Sequence, residues 1–202
     1  QQIAKKNEIP AIQLNYQKKR KDQLYSYGLK KVDQQDSIDK NTVFQAASLT
    51  KVVAAYTFLR LMDQGLIELD KPLWDYYQYD RLANHPFKEK ITARMVLTHR
   101  TGLLNWEGDV PSEEWRKSAL TSQFEPGTDY MYSGEGFYFL QETMEHISGK
   151  PFQQLVEEEV LTPFKMCNSA IVWHDDLAAN AAFGHLENGK PRKLGMYRKS
   201  NA

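Results

Sequence analysis

The sequence predicts an α+β fold, because its apolar residues repeat with two different periods in two parts of the chain. Near the N-terminus they alternate with polar residues, which is the pattern of strands that bury one face. From Ser48 onward they recur at every third or fourth position, which is typical of amphipathic helices. No alternating segment follows those helices, so the predicted order is strands first and helices second.

The first predicted element is a β-hairpin. Residues 12–16 and 25–29 both alternate between apolar and polar side chains, and the basic run at residues 18–21 lies between them. This run could be a nucleic-acid contact or the solvated tip of the hairpin. The alternation on both sides favours the hairpin tip.

A helix is predicted from Ser48 to a C-terminal cap at Gly65, a residue that adopts the left-handed conformation without strain. Its spacing predicts one continuous buried face. The residues predicted for that face are Val52, Ala55, Tyr56, Leu59 and Met62.

Further helices follow from their end signals. Thr92 is a typical N-cap for a short helix. Residues 136–147 form a second strong apolar repeat that ends before Gly149. Pro151 then opens a helix that runs to Val160, because proline suits the first helical turn, where its missing N–H group is not needed.

The composition excludes several classes of function. The 26 basic residues balance the 26 acidic ones, so no overall charge attracts nucleic acid or an anionic membrane. No apolar run is long enough to span a bilayer. The single cysteine, Cys167, cannot form an internal disulfide, and the histidines lack metal-ligand spacing. There is also no phosphate-binding glycine loop, so the sequence predicts neither a metal nor an organic cofactor.

Ser48 and Lys51 form a Ser-x-x-Lys pair at the start of the first predicted helix. Residues three apart share a helix face, so a lysine shielded from water could take the serine's proton and activate it as a nucleophile. Ser37 and Lys40 have the same spacing, but no apolar helix follows them. The alternative interpretation makes Ser48 a helix N-cap and Lys51 a solvated first-turn residue.

Four segments in fixed order carry a resemblance to a known family: residues 41–51, 65–73, 91–103 and 126–134. Together they resemble the β-lactamase-related, penicillin-binding-protein-like serine hydrolases. That family includes class C β-lactamases, D-alanyl-D-alanine carboxypeptidases and related esterases. The resemblance implies a β-lactamase/transpeptidase-like fold, in which helices flank an antiparallel sheet and a helical subdomain forms the other wall of the cleft.

The resemblance also implies roles for three residues. Ser48 would be the acylated nucleophile, Lys51 its proton acceptor and Tyr132 the residue that passes a proton to the leaving group. The implied substrate is a β-lactam, a cell-wall peptide or an ester, with no cofactor. Likeness to cell-wall enzymes implies an extracytoplasmic location in the bacterial periplasm.

The second active-site motif departs from the family pattern. Gly134 stands where the family carries asparagine, so no side-chain amide is available there to hold a substrate carbonyl or the lysine. Ser133 and Glu135 are the neighbours that could substitute, and residues 133, 134 and 135 are therefore the predicted substrate-binding positions. Ester hydrolysis and a divergent amide substrate both stay open.

The family's third motif, Lys-Thr-Gly or His-x-Gly, is missing, as are the strands that would carry it. We therefore expect residues 1–202 to be one incomplete domain, the N-terminal portion of a longer protein. Its expected parts are the strands (1–47), the nucleophile helix and helical region (48–170) and a polar tail (171–202). Weak activity and self-association through an uncovered sheet edge are the expected consequences.

Two alternatives remain to a serine hydrolase that acts through a covalent acyl-enzyme on an amide or an ester. One is a non-catalytic relative that binds peptidoglycan or a protein, which both departures favour. The other is an esterase for small acyl esters.

Overall fold

The computed structural model describes residues 1–192 and contains both helices and strands. Within the described chain, residues 1–47 and 168–192 form one compact unit, and residues 48–167 form another. The predicted mixture of strands followed by helices is confirmed. The prediction that residues 1–202 are a single incomplete domain stays a prediction.

The first unit contains a short helix and the predicted hairpin. Its elements are α1 (Gln2–Lys6), β1 (Ala11–Lys18) and β2 (Lys21–Gly28). The strands pair antiparallel from Ala11 opposite Gly28 to Lys18 opposite Lys21. Lys19 and Arg20 form the two-residue turn with φ values of 51° and 63°, the left-handed pair that matches the strand twist. The hairpin prediction and its basic tip are confirmed.

Residues 168–192 belong to the same unit as the hairpin. A 3₁₀ helix over Asp175–Asn180 interrupts the predicted polar tail. Lys30 is almost completely buried, pairs with Asp36 at 3.1 Å and donates a hydrogen bond to the Asn180 side chain at 3.3 Å. This lysine therefore links the segment after the hairpin to the 3₁₀ helix. The rest of the predicted tail, 193–202, lies outside the described residues.

The second unit is helical. Its α-helices are α2 (Thr50–Asp63), α3 (Ala93–Leu97), α4 (Glu113–Lys117), α5 (Gly134–Ser148) and α6 (Phe152–Val156), which continues into a π-helical turn over Glu157–Leu161. Helix α2 packs against α5 and α6. The core of this unit includes large side chains with almost no exposed surface: Phe58, Leu61, Phe139, Leu140, Met144 and Phe152.

Three of the predicted helix-end signals are confirmed. Helix α2 ends before Gly65, which has φ of 75°, and the amide of Leu66 donates back to the carbonyl of Leu61 in a Schellman arrangement. The Thr92 side chain caps α3 by accepting from the Met95 amide. Gly149 ends α5 in the left-handed conformation.

The predicted buried face of α2 is wrong. Val52 is 69% exposed, and Tyr56 and Leu59 are 38% and 41% exposed. The buried residues of α2 are instead Lys51, Ala54, Thr57, Phe58 and Leu61. The helix is apolar on more than one side, and its contacts with α5 and α6 select the side that is buried.

Candidate active site

Ser48 lies exposed in a 3₁₀ turn, Ala47–Leu49, that runs directly into α2. Leu49 is the N-cap of α2, and no side chain caps the helix. The Ser48 hydroxyl makes no hydrogen bond within residues 1–192, so its interpretation as an N-cap is wrong. The preceding residue, Ala47, has a left-handed φ of 46°, a strained value for a residue with a Cβ atom. Ser48 is thus presented to solvent on a constrained turn at the N-terminus of a helix.

Lys51 is buried, with only 8% of its surface exposed. Its Nζ atom lies 5.4 Å from the ring centres of Tyr132 and Phe137 and 5.9 Å from that of Trp106. The alternative of a solvated first-turn lysine is therefore wrong. Aromatic ring faces attract an ammonium group, most strongly where water is excluded.

Tyr132 reaches Lys51 from the segment that precedes α5. It is 37% exposed, and the centre of its ring lies 5.4 Å from the Lys51 Nζ atom. The structure thus brings Lys51 and Tyr132 together, and Ser48 lies one helical turn before Lys51. Their predicted catalytic roles stay predictions.

His99 packs against Tyr132. The two rings are 4.4 Å apart, and the His99 Nδ1 atom accepts a hydrogen bond from the Ser133 amide at 3.1 Å. Burial lowers the pKa of His99 below its ordinary value, and the positive charge of Lys51 lowers it further. The ring is therefore neutral at physiological pH and acts as an acceptor. His99 lies inside a family-like segment of the sequence, but that position did not reveal its contacts with Tyr132 and Ser133.

The side chains of Ser133 and Glu135 are engaged inside the protein. Ser133 is 1% exposed and caps α5: its Oγ accepts from the Gly136 amide at 2.8 Å and donates to the Leu104 carbonyl at 3.0 Å. Glu135 is fully buried and pairs with Arg81 at 2.7 Å. Substrate binding through residues 133, 134 and 135 stays a prediction, and the contacts of these two side chains are internal.

Glu135 accepts hydrogen bonds from donors on three sides. Both terminal nitrogens of the Arg81 guanidinium donate to it, at 2.7 and 3.2 Å. The indole N–H of Trp115 donates at 2.7 Å, and the Glu107 amide donates at 2.9 Å. The carboxylate is thus paired and saturated, as a buried charge requires.

Gly134 has no space for a side chain. A Cβ atom there would lie 2.5 Å from the Asn105 carbonyl oxygen and 2.6 Å from the Trp106 ring. The Gly134 amide donates to the Asn105 side chain at 3.1 Å. Trp106 was missed by sequence reasoning, since one tryptophan in a turn-rich stretch carries no periodic signal.

The described residues contain no group of His, Cys, Asp and Glu side chains that could hold a metal ion. None of the helices in residues 1–192 combines the length and the apolarity that a membrane span needs.

Comparison with known proteins gives one consistent result. The family model described as "Beta-lactamase" matches residues 1–201. D-alanyl-D-alanine-carboxypeptidase/endopeptidase AmpH of Escherichia coli K12 is 29% identical over 62% of this chain and 36% of its own length. Lovastatin esterase of Penicillium rubens is 23% identical over 76% of this chain and 45% of its own length. The chain thus spans less than half the length of these curated relatives.

The fold is also found in a solved structure of a class C beta-lactamase. That structure superposes with a TM-score of 0.87 at 23% identity and covers 99% of this chain and 56% of its own. Since the family model spans the whole described chain and the resemblance of the four motifs points the same way, this chain belongs to the Beta-lactamase family of serine hydrolases.

Proposed function

We propose that this chain carries the nucleophile of a serine hydrolase that acts through a covalent acyl-enzyme on an amide or an ester. Ser48 is the nucleophile, Lys51 accepts its proton and Tyr132 delivers a proton to the leaving group. The observation that carries the proposal is the burial of Lys51 beside Tyr132, one helical turn from an exposed serine hydroxyl.

In the acylation step, the Ser48 oxygen forms a bond to the substrate carbonyl carbon as Lys51, in its amine form, takes the hydroxyl proton. The bond to the leaving nitrogen or oxygen breaks when Tyr132 donates its phenolic proton to that atom. Lys51 then returns its proton to Tyr132. Water releases the acid and restores the Ser48 hydroxyl. The backbone N–H of Ser48 supports the proposal as a donor to the carbonyl oxygen.

Esters are the favoured substrate class within this proposal. Position 134 offers no amide side chain, and the Trp106 ring lies beside it. The likeness to lovastatin esterase supports the same preference. The likeness to a D-alanyl-D-alanine-carboxypeptidase supports cell-wall peptides as the other class and the bacterial periplasm as the location. A short-chain aryl ester turned over faster than a chromogenic β-lactam would support the ester preference.

Intact-mass spectrometry after incubation with a fluorophosphonate or a β-lactam tests the nucleophile. We expect one adduct per chain, lost in Ser48→Ala because the attacking oxygen is gone. Ser37→Ala is the matched control, since Ser37 and Lys40 repeat the Ser-x-x-Lys spacing but Lys40 is exposed. An adduct that persists in Ser48→Ala, or no adduct on the longest natural form of the protein, contradicts the proposal. The second result favours the non-catalytic binding alternative.

A further inference from the structure

The Lys51 side chain is held by aromatic rings rather than by an acid. Within residues 1–192 it forms no ion pair. Its Nζ atom faces three rings at 5.4 to 5.9 Å. Of these, Tyr132 has a proposed role in proton transfer and Phe137 belongs to the buried face of α5. Trp106 lies on a loop and has neither a proposed role in proton transfer nor a place on a helix.

The loop that carries Trp106 is fixed to the N-terminus of α5 by a row of hydrogen bonds. Ser133 donates to the Leu104 carbonyl, and Gly134 and Glu135 donate to the side chain and the backbone carbonyl of Asn105. Directly after Trp106 in the chain, the Glu107 amide donates to the Glu135 carboxylate. These contacts immobilise the loop on both sides of the tryptophan.

A second contact orients the Trp106 ring. It packs edge-on against Trp115, with ring centres 6.1 Å apart and an interplanar angle of 74°. Trp115 is itself 1% exposed and is held by its hydrogen bond to Glu135. The position of the Trp106 ring over Lys51 is therefore set by buried neighbours.

The Trp106 ring fills the space that a side chain at position 134 would need. Because a Cβ atom at position 134 would lie within 2.7 Å of two Trp106 ring atoms and 2.5 Å from the Asn105 carbonyl, any side chain there displaces the loop. The glycine is thus the condition for the tryptophan to lie beside Lys51.

We propose that Trp106 is a positioning residue for Lys51. The absence of a side chain at Gly134 leaves the space that the Trp106 ring occupies. The expected effect of Trp106 on the rate of acylation rests on the proposed function. The ring face attracts an ammonium group more strongly than a neutral amine, so it stabilises Lys51 after Lys51 has taken the Ser48 proton. Trp106 therefore acts on the rate of acylation more than on substrate affinity.

The first test measures the accessibility of Lys51 and needs no activity. The chain is acetylated with a trace of acetic anhydride, and each lysine's rate is read from peptide masses. The internal reference is Lys71, which also lies over a ring, that of Tyr76, but is exposed. We expect Lys51 to react about tenfold more slowly than Lys71, Trp106→Ala to remove that difference, and Trp106→Phe to preserve it within about twofold.

Gly134→Ala tests the link between the glycine and the ring. It adds one methyl group at a helix position where alanine is otherwise favourable, so a faulty helix cannot explain its effect. We expect Lys51 to become as reactive in Gly134→Ala as in Trp106→Ala, and the double variant to react no faster than either. Equal rates for Lys51 and Lys71 in the unchanged chain, or additive effects in the double variant, would overturn the proposal. If Trp106→Ala fails to fold, Trp106→Phe and Gly134→Ala still decide it.

The second test uses saturable fluorophosphonate labelling of Ser48 and separates the maximal rate from the half-saturating concentration. We expect Trp106→Ala to lower the maximal rate about tenfold with little change in half-saturation, and Trp106→Phe to recover most of it. A change in half-saturation alone would overturn the positioning role. If Ser48 forms no adduct in any variant of the longest natural form of the protein, the proposed function fails, while the acetylation rates still decide whether Trp106 shields Lys51.

Discussion

At the scale of single residues, His99 shows how a side chain outside the predicted catalytic set supports it. It adopts a left-handed φ of 55°, a region in which histidine is among the more tolerated residues. From there its Nδ1 atom accepts from the Ser133 amide, while the ring packs on Tyr132 at 4.4 Å and on Phe137 at 5.3 Å. Protonation of Nδ1 would remove the acceptor and place a positive charge beside Lys51.

This arrangement predicts a pH dependence of stability. The pKa of His99 is lowered from 6.5 in the folded chain, so below that value the unfolded chain binds a proton that the folded chain does not. The contribution of neutral His99 to the free energy of unfolding is therefore fully present above pH 6.5. It is lost as the pH falls through the lowered pKa. Urea unfolding between about pH 7 and pH 5 measures it.

His99→Asn is the matched variant for this measurement. Asparagine keeps a side-chain acceptor and tolerates the left-handed backbone, but does not titrate in this range. We expect His99→Asn to lose less stability on acidification than the unchanged chain. His85, whose pKa burial also lowers, is present in both proteins and cancels in the difference. An identical loss of stability in the two proteins would contradict the role given to His99.

At the scale of elements, the N-terminus of α5 organises the candidate site. Ser133 caps the helix, Gly134 leaves room for Trp106, and Glu135 joins Arg81 to Trp115. The sequence predicts substrate binding at these three positions, because Gly134 stands at the family's asparagine position and the other two flank it. The contacts in the structure indicate that they fix the loop and the helix between which Lys51 lies.

Glu135→Gln tests this role. Removing one charge of a buried pair leaves Arg81 without compensation, so we expect a loss of about 3–5 kcal/mol in the free energy of unfolding. Glu158→Gln is the control, because the exposed pair between Glu158 and Lys150 contributes little. Chemical denaturation of both variants gives the comparison. Equal stabilities for Glu135→Gln and Glu158→Gln would show that the buried network does not support the fold.

At the scale of the whole molecule, several large apolar side chains are exposed. They lie on the hairpin, where Leu14 and Leu24 are 54% and 44% exposed, and on α2, where Val52 is 69% exposed. Within the described residues the sheet consists of β1 and β2, so each strand has an unpaired edge. Unpaired edges and apolar patches both promote association.

Self-association through the sheet edge therefore stays our prediction for this chain. Sedimentation velocity over a range of concentrations should detect dimers or larger species. We expect Leu14→Lys to weaken the association, because charges on a strand oppose pairing with another strand. Val52→Lys on α2 separates the two surfaces: if it alone abolishes association, the helix face and not the sheet edge is responsible. A monomer at every concentration would contradict the prediction.

The sequence by itself determined those features that depend on near neighbours along the chain. Alternation around a basic tip was sufficient for the hairpin, because strand pairing across a short turn is local. Gly65, Thr92 and Gly149 marked helix ends, since caps satisfy backbone groups within one turn. The order of four family-like segments was sufficient for the family.

Only the tertiary structure decided which sides of these elements are buried. The face of α2 that contains Val52 was expected inside, yet contacts with α5 and α6 bury the face that contains Phe58. Likewise, nothing near Lys51 in the sequence shows that Trp106 and Phe137 enclose it. Periodicity describes one helix at a time, whereas burial and the setting of a charged group depend on residues that lie far away in the chain and come together only on folding.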